Sequence, residues 1–200
     1  MALKYAVLAA LLDGEASGYD LAKRFDVSVS NVWHALPQQI YAELAALEKQ
    51  GLITGQVVVQ ESRPNKRLFS LNERGRDALI EWVAGDSRPS AVKDEALVRC
   101  FAADLVEASR LLPGFMARRE HARAKLEHYL DVQRGFLKGR TEEEYFRTAR
   151  RVGPYLALKR GLIFEQENIA WIDWVLEVLE QRGAGEGGER NAHARPGRAG

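Results

Sequence analysis

The sequence predicts a mainly α-helical protein with a small β-hairpin. Apolar residues recur at helical spacing through most of the 200-residue chain. Between residues 56 and 71 this periodicity gives way to two short runs rich in β-branched and aromatic residues, which favour strands. A Gly-, Ser- and Pro-containing segment follows at residues 85–90, and beyond it the pattern is helical again. This order predicts an N-terminal winged helix-turn-helix domain and a C-terminal domain of antiparallel helices that dimerises.

Composition divides the chain into four parts. We expect the winged helix-turn-helix domain at residues 1–84, a linker at 85–92, and the helical dimerisation domain, with an effector site, at 93–182. Residues 183–200 have no periodic apolar positions, so we expect a disordered tail there. The long C-terminal helices carry more apolar surface than one small domain covers. A second copy of the chain is the expected partner, which gives a homodimer.

Hydropathy and cysteine content exclude several classes of protein. Hydrophobic residues make up 46% of the chain, but no apolar run approaches the roughly 20 residues that cross a bilayer. Residues 1–12 lack the features of a secretory signal, so we expect a cytoplasmic protein without a membrane partner. Cys100 is the one cysteine, which excludes an intrachain disulfide. Its apolar neighbours favour a small buried side chain over a redox sensor.

Two short helices are predicted before the central one. Apolar residues at positions 3, 6, 7, 10 and 11 have the spacing of one helix face, which predicts a helix over residues 2–12. Ser17 is suited to cap a second helix over residues 18–25. A polar connector at residues 26–31 then leads to a third helix, and three helices in this order predict a helix-turn-helix core.

The third predicted helix has a clear start and stop. Pro37 suits the first helical turn, where a missing N–H has no intrahelical partner, and Gly51 suits the position just past the end. Between them, Ile40, Leu44 and Leu47 form one apolar stripe. The helix is therefore expected to pack on the core through that stripe and to leave its other face exposed.

Uncharged polar side chains gather at the N-terminal end of this helix. Gln38, Gln39 and Tyr41 lie where a recognition helix places the side chains that enter the major groove. An amide offers a donor and an acceptor together, which match N6 and N7 of adenine, and a tyrosine hydroxyl can reach a phosphate. The pattern therefore predicts a helix that binds double-stranded DNA. A surface helix that happens to carry Gln and Tyr is the alternative.

The hairpin is predicted from strands at residues 56–60 and 67–71. The link between them contains the turn formers Pro64 and Asn65 among basic residues. A hairpin beside a recognition helix is a wing, and its positive tip is expected to lie on the DNA backbone or in the minor groove. A solvated turn is the alternative. The predicted DNA-binding residues of the tip are Arg63, Asn65, Lys66 and Arg67.

Net charge gives only local support for a nucleic-acid partner. Residues 1–83 contain nine Lys and Arg against ten Asp and Glu, so the domain as a whole is close to neutral. Five of those nine basic residues lie between Arg63 and Arg76, which makes one positive edge. A winged helix that serves as a protein-interaction module, without sequence-specific DNA binding, is the rival prediction.

The second half is predicted to be helical almost throughout. Asn72 is suited to cap a fourth helix before the linker. Beyond the linker, helices are expected at residues 93–105 and 109–138. Thr141 with Glu144 three residues later makes a capping box for a short helix, and a final helix is expected from residue 153 to about residue 181.

Several segments resemble the PadR family of bacterial transcriptional regulators over nearly the whole chain to about residue 182. The resemblance implies a homodimeric winged-helix repressor whose C-terminal helices dimerise, and which releases operator DNA when a small molecule or another signal binds. Ala42 stands where relatives often have Pro, and Asn72 where Thr is common, so the base preference is not carried over. The matching segments are residues 17–21 (SGYDL), 39–44 (QIYAEL), 47–48, 51–53, 67–71 (RLFSL), 74–75 and 93–97 (KDEAL).

No motif of an enzyme is present, and neither a cofactor nor a metal is expected. The sequence lacks a nucleophile elbow, a P-loop, a dinucleotide fingerprint and zinc-ligand spacing. His121 and His128 are one heptad apart on a charged helix and are expected to face solvent.

An effector site is predicted on the last helix. Tyr155, Phe164, Trp171 and Trp174 could line an apolar pocket at the centre of the dimer for a small aromatic molecule. Packing between helices is the alternative role for these side chains.

Overall fold

The structure, a computed structural model, describes residues 2–25, 35–59, 65–87 and 93–193. The chain divides into two compact units, Met1–Pro89 and Ser90–Gly200. Each unit has its own apolar core. The predicted polar connector at residues 26–31 and the wing tip at residues 60–64 lie outside the described residues.

The described residues of the first unit form four α-helices. The first helix is shorter than the predicted 2–12, because the chain tightens into a 3-10 turn at Leu11–Asp13 before Gly14 adopts a φ of 111°. Ser17 and Asp20 form a capping box that starts the second helix. The helices are α1 (Ala2–Ala10), α2 (Gly18–Arg24), α3 (Pro37–Lys49) and α4 (Glu73–Ala84).

A three-stranded antiparallel sheet closes this unit. The strands are β1 (Ala16–Ser17), β2 (Ile53–Val58) and β3 (Lys66–Leu71), in the order β1-β3-β2. The strand predicted at residues 56–60 begins earlier, because the buried Ile53 already pairs with Leu71. Val58 of β2 and Lys66 of β3 form the last pair between these two strands. The two-residue β1 pairs with Phe69 and Leu68 and was not predicted.

The apolar stripe of α3 lies in the centre of the first core. Ile40, Leu44 and Leu47 expose at most 1% of their surface, as the periodicity predicts. They pack in one cluster with Leu8 of α1 and Phe25, which follows α2. Burial of an aliphatic side chain of this size stabilises a fold by about 1.5–3 kcal/mol. The stripe therefore fixes which face of α3 points outwards.

Between residues 93 and 193, the described part of the second unit, the chain forms four α-helices and two 3-10 turns. The helix predicted at residues 93–105 is shorter, because the Asp94 side chain accepts the Ala96 N–H and starts it, and the chain turns at Ala102. The capping box of Thr141 and Glu144 is confirmed. The elements are α5 (Glu95–Phe101), the turns Ala103–Leu105 and Ala108–Arg110, α6 (Leu112–Leu137), α7 (Glu142–Thr148) and α8 (Gly153–His193).

Helices α6 and α8 run antiparallel along each other. Arg119 pairs with Asp173 at 3.1 Å and Lys125 with Glu165 at 3.6 Å, while Gln133 donates to the hydroxyl of Tyr155 at 2.9 Å. From one contact to the next, the residue numbers rise on α6 and fall on α8, so the two helices are antiparallel.

No helix in the described part of the chain is long and apolar enough to span a membrane.

Helix α8 is longer than predicted and takes in part of the predicted tail. We predicted its end near residue 181 and disorder from 183, but it continues to His193. A helix that has already formed extends without a new nucleation cost, although the four glycines between residues 183 and 188 disfavour its continuation. The apolar periodicity used to place the end of the helix stops near residue 181, so it gives no signal for the extension. Residues 194–200 lie outside the described residues.

Candidate nucleic-acid interface

The N-terminal tip of α3 presents its polar side chains to solvent. Leu36 is extended, with φ −69° and ψ 147°, and Pro37 occupies the first turn, so the helix starts without strain. Gln38 is exposed and makes no side-chain hydrogen bond to any described residue. Gln39 is also exposed, but its Oε1 accepts the Leu36 N–H at 2.9 Å. Gln38 therefore keeps both amide functions for a partner, whereas Gln39 has its Nε2 donor left.

Tyr41 lies against the start of α2. A Cβ at Gly18 would come within 2.3 Å of Tyr41 Cε1, so the ring rests directly on the glycine backbone. The phenol is nevertheless 50% exposed. Gly18 thus fixes the position of a tyrosine whose other side faces solvent. This contact explains the glycine within the SGYDL segment.

The base of the wing lies next to the capping carboxylate of α2. Lys66 and Asn65 are exposed at the start of β3. Hydrogen bonds from Ser17 lower the pKa of Asp20, and the charge of Lys66 acts in the same direction. Arg63, which was predicted to contact phosphate, lies outside the described residues. Lys66 and Arg67 are therefore the predicted wing cations that the structure describes, and both are exposed.

Arg67 is held against α3. Its Nη2 lies 2.7 Å from Glu48 Oε1, and its guanidinium carbon lies 5.7 Å from the centre of the Phe69 ring. Gly55 of β2 makes room for this pair, since a Cβ there would lie 2.4 Å from Glu48 Oε1. A half-exposed pair of this kind contributes about 1 kcal/mol or less. Arg67 ties the wing to α3, a long-range contact that no local sequence pattern indicates.

Asn72 fixes the other end of the wing to α3. Its Oδ1 accepts the Gly75 N–H at 2.9 Å, which confirms the predicted cap of α4. Its Nδ2 also donates to the carbonyl of Gly51, just after α3, at 3.1 Å. One side chain therefore joins the end of α3 to the end of the wing. The side-chain amide of Asn72 makes this second bond, to the carbonyl of Gly51. A threonine at position 72 would have to make it with its hydroxyl.

The predicted effector residues fall into different environments within one chain. Tyr155 is fully buried, where it meets Phe136 edge-on and Tyr145 at a tilt, and burial raises its pKa. Its hydroxyl donates to Glu142 at 2.8 Å, and hydrogen bonds from Lys159 and Tyr155 lower the pKa of that carboxyl. The Tyr155 hydroxyl therefore already has hydrogen-bond partners within its own chain.

The other three predicted residues lie elsewhere along α8. Trp171 packs edge-on against Phe115, about 24 Å along the helix from Tyr155. Phe164 and Trp174 are 47% and 60% exposed. The structure does not bring the four side chains together into one pocket within a protomer.

No group of three or more His, Cys, Asp and Glu in the described ranges is arranged to hold a metal ion. His121 and His128 are both exposed on α6.

Both halves of the chain match known families. Residues 7–81 match the transcriptional regulator PadR-like family, and residues 92–180 match the C-terminal region of virulence activator alpha. The probable transcriptional regulator Rv1176c of Mycobacterium tuberculosis is 31% identical over 192 residues, which cover 91% of this chain and 100% of the relative. The negative transcriptional regulator PadR of Bacillus subtilis is 28% identical over 181 residues, with 90% and 98% covered.

Solved structures agree with these matches. The crystal structure of Bacillus subtilis PadR in complex with operator DNA has a TM-score of 0.76 at 26% identity, and covers 90% of this chain and 99% of that one. The crystal structure of the same protein in complex with p-coumaric acid has a TM-score of 0.70 at 26% identity, with the same coverage. The chain belongs to the PadR-like family of transcriptional regulators, which are not enzymes.

Proposed function

We propose that this regulator is a homodimeric repressor that binds a palindromic operator and is released by a small-molecule effector. The observation that carries the proposal is the exposed polar tip of α3, with the unpaired amide of Gln38, next to a wing that begins with Lys66. The similar Bacillus subtilis PadR has been solved with operator DNA, which supports the same use of this surface here. Residues 1–84 would bind DNA and residues 93–182 would dimerise.

A second apolar stripe on α8 supports the homodimer. Helix α8 already buries Leu158, Leu162 and Ile172 within its own unit. At about 3.6 residues per turn, its exposed apolar residues gather on the other side of the helix. An exposed apolar stripe is typical of an interface, and a two-fold pair of identical helices would cover it with itself. The stripe consists of Leu156, Ile163, Phe164, Trp174 and Val178.

A two-fold pair would present two recognition helices to one duplex. Operators of such dimers have half-sites about 34 Å apart, one turn of B-DNA. Bases would be recognised mainly by α3, and phosphates would be neutralised by the wing. The Arg67–Glu48 and Asn72–Gly51 contacts would hold the two elements at a fixed separation.

The two glutamines should have different effects on base preference. We expect Gln38→Ala to lose about 1–3 kcal/mol of preference at one base pair, because its free amide can bond to adenine N6 and N7 together. Gln39→Ala should weaken binding more evenly across sequences, because it also removes the bond to Leu36 that orders the helix start. A scan of base substitutions in the operator measures both effects. An unchanged preference in Gln38→Ala would remove Gln38 from base recognition.

The wing should contribute a salt-dependent part of the affinity. We expect Lys66→Ala to weaken binding to all sequences and to reduce the slope of log affinity against log salt by about 1, as the loss of one phosphate contact does. Arg67→Ala should lower DNA affinity by misplacing the wing, with a smaller change in slope, because Glu48 already neutralises its charge. Mobility-shift titrations at several salt concentrations measure both slopes.

The matched control for the wing is Lys93→Ala, which removes an exposed lysine outside the first unit. Its salt slope should equal that of the unchanged protein. An unaltered slope in Lys66→Ala would show that the described part of the wing does not contact phosphate.

A further inference from the structure

Positive charge gathers in two stretches of the second unit. Residues 110–125 contain five Lys and Arg against one Glu, and residues 134–160 contain eight Lys and Arg against three Glu. The whole chain, by comparison, has a net charge of +1. A charge that is already paired within the protein has less attraction left for a partner, so the ion pairs decide which stretch can bind a polyanion.

The first stretch is largely neutralised by the rest of its own unit. Four of its five cations have a carboxylate partner, and three of those carboxylates come from outside the stretch. The pairs are Arg118–Asp94, Arg119–Asp173, Arg123–Glu120 and Lys125–Glu165.

The second stretch keeps a surplus of exposed cations. Its three glutamates are already used: Glu142 pairs with Lys159 at 2.6 Å, Glu143 pairs with Arg147 at 3.1 Å, and Glu144 caps the start of α7. Four exposed cations have no carboxylate partner in the described ranges, and we call them the basic end of the second unit. They are Lys138, Arg140, Arg150 and Arg160.

Contacts around α7 bring these cations to one end of the unit. Arg140 donates to the Thr148 hydroxyl at 3.1 Å, so the turn before α7 lies against the last residue of that helix. Arg150 follows two residues later. The ion pair between the start of α7 and α8 places Arg160 at the same end. Beneath them the buried Tyr145 packs against neighbouring aromatic rings, which gives the surface a fixed base.

We infer that the basic end binds the phosphate backbone of double-stranded DNA without sequence preference. Three of its four cations are arginines, whose forked N–H donors match phosphate oxygens. The chain belongs to a family of transcriptional regulators, so a duplex is at high local concentration whenever the first unit is bound. The inference goes beyond the proposed operator site, because it concerns the other compact unit and needs no contact from α3 or the wing.

The near-neutral first unit gives this second surface a purpose. Residues 1–83 contain nine Lys and Arg against ten Asp and Glu. Attraction to any duplex sequence comes from phosphate neutralisation by Lys and Arg, so the first unit has little of it outside the wing. The basic end would supply a further share and would keep the regulator on DNA between operators.

Salt titrations of the full chain on a duplex of random sequence test this surface. We expect the double variant Lys138→Gln with Arg150→Gln to reduce the slope of log affinity against log salt by about 2 per protomer, and to weaken binding about tenfold or more near ~0.1 M salt. Arg140 is left in place, because it also donates to the carbonyls of Phe136 and Leu137 at the end of α6.

Two further variants separate the surface from net charge and from folding. Arg99→Gln with Arg123→Gln removes the same charge from exposed cations that are paired with Glu95 at 2.5 Å and Glu120 at 3.2 Å, so its slope should hardly change. Lys138→Arg with Arg150→Lys keeps both charges and should retain the slope of the unchanged protein.

The outcomes distinguish this surface from the operator site. An unchanged slope in the Lys138→Gln, Arg150→Gln protein, or an equal loss in the Arg99→Gln, Arg123→Gln protein, would overturn the inference. Retained DNA binding together with lost binding to polyglutamate or to phosphatidylserine vesicles would overturn DNA as the partner. The first double variant should still prefer the operator over random sequence. Absence of that preference in the unchanged protein would contradict the proposed function and leave the random-sequence slopes as a test of the basic end.

Discussion

Replacing Trp174 with aspartate should convert the proposed dimer to monomers and lower operator affinity about a hundredfold or more, because two linked half-site contacts become independent. Trp174 is 60% exposed within its protomer, so the substitution should leave the fold of each chain intact. In the proposed two-fold pair each new carboxylate would be buried against the apolar stripe of the partner, which strongly disfavours association. Sedimentation equilibrium measures the association, and a DNA titration measures the affinity.

Gln166→Asp is the matched control for this change. It places the same charge on an exposed position of α8 outside the apolar stripe. It should remain a dimer with nearly unchanged operator affinity. A Trp174→Asp protein that stays dimeric at micromolar concentration would show that the α8 stripe is not the interface.

Gly75→Ala should destabilise the first unit by about 3 kcal/mol or more, since backbone rather than a flexible side chain must move to accept the methyl group. A Cβ at Gly75 would lie 2.0 Å from the Leu52 carbonyl oxygen and 2.9 Å from its carbon. This close approach lets α4 start directly against the chain that leaves α3. Thermal unfolding measures the loss, which corresponds to a fall in Tm of more than about 10 °C for a domain of this size.

Gly135→Ala separates this clash from the general effect of glycine in helices. It lies within α6, and an added Cβ would meet nothing within 4 Å. We expect it to stabilise the protein by about 0.5–1 kcal/mol, because alanine loses less conformational freedom than glycine in a helix. If both variants unfolded at the same temperature, the tight contact at Gly75 would be refuted.

Local signals in the sequence predict most of the first unit correctly. These signals act within one or two helical turns, so they can be recognised from the sequence without knowledge of the tertiary structure. They are Pro37, the stripe of Ile40, Leu44 and Leu47, and the cap at Asn72. The two-residue strand β1 is too short to have a periodic pattern. It exists because Ala16 and Ser17 meet the free edge of β3, which only the tertiary arrangement creates.

Contacts between distant residues account for the rest. Arg67 was predicted as a phosphate contact from its charge and its position in the wing, whereas Glu48, nineteen residues earlier, holds it against α3. Similarly, aromatic residues on α8 were predicted to share one pocket, but the helix has apolar residues on more than one side. Which side faces the same chain depends on α6 and α7, so sequence periodicity alone does not separate the buried Tyr155 from the exposed Trp174.

Selection of binding sites from random double-stranded DNA by the full-length protein tests the central claim most directly. Two α3 tips related by a two-fold axis should select an inverted repeat whose half-site centres lie about 10 base pairs apart, one turn of the duplex. Recovery of no common sequence, or of an isolated half-site without its inverted copy, would contradict binding by a symmetric pair of recognition helices.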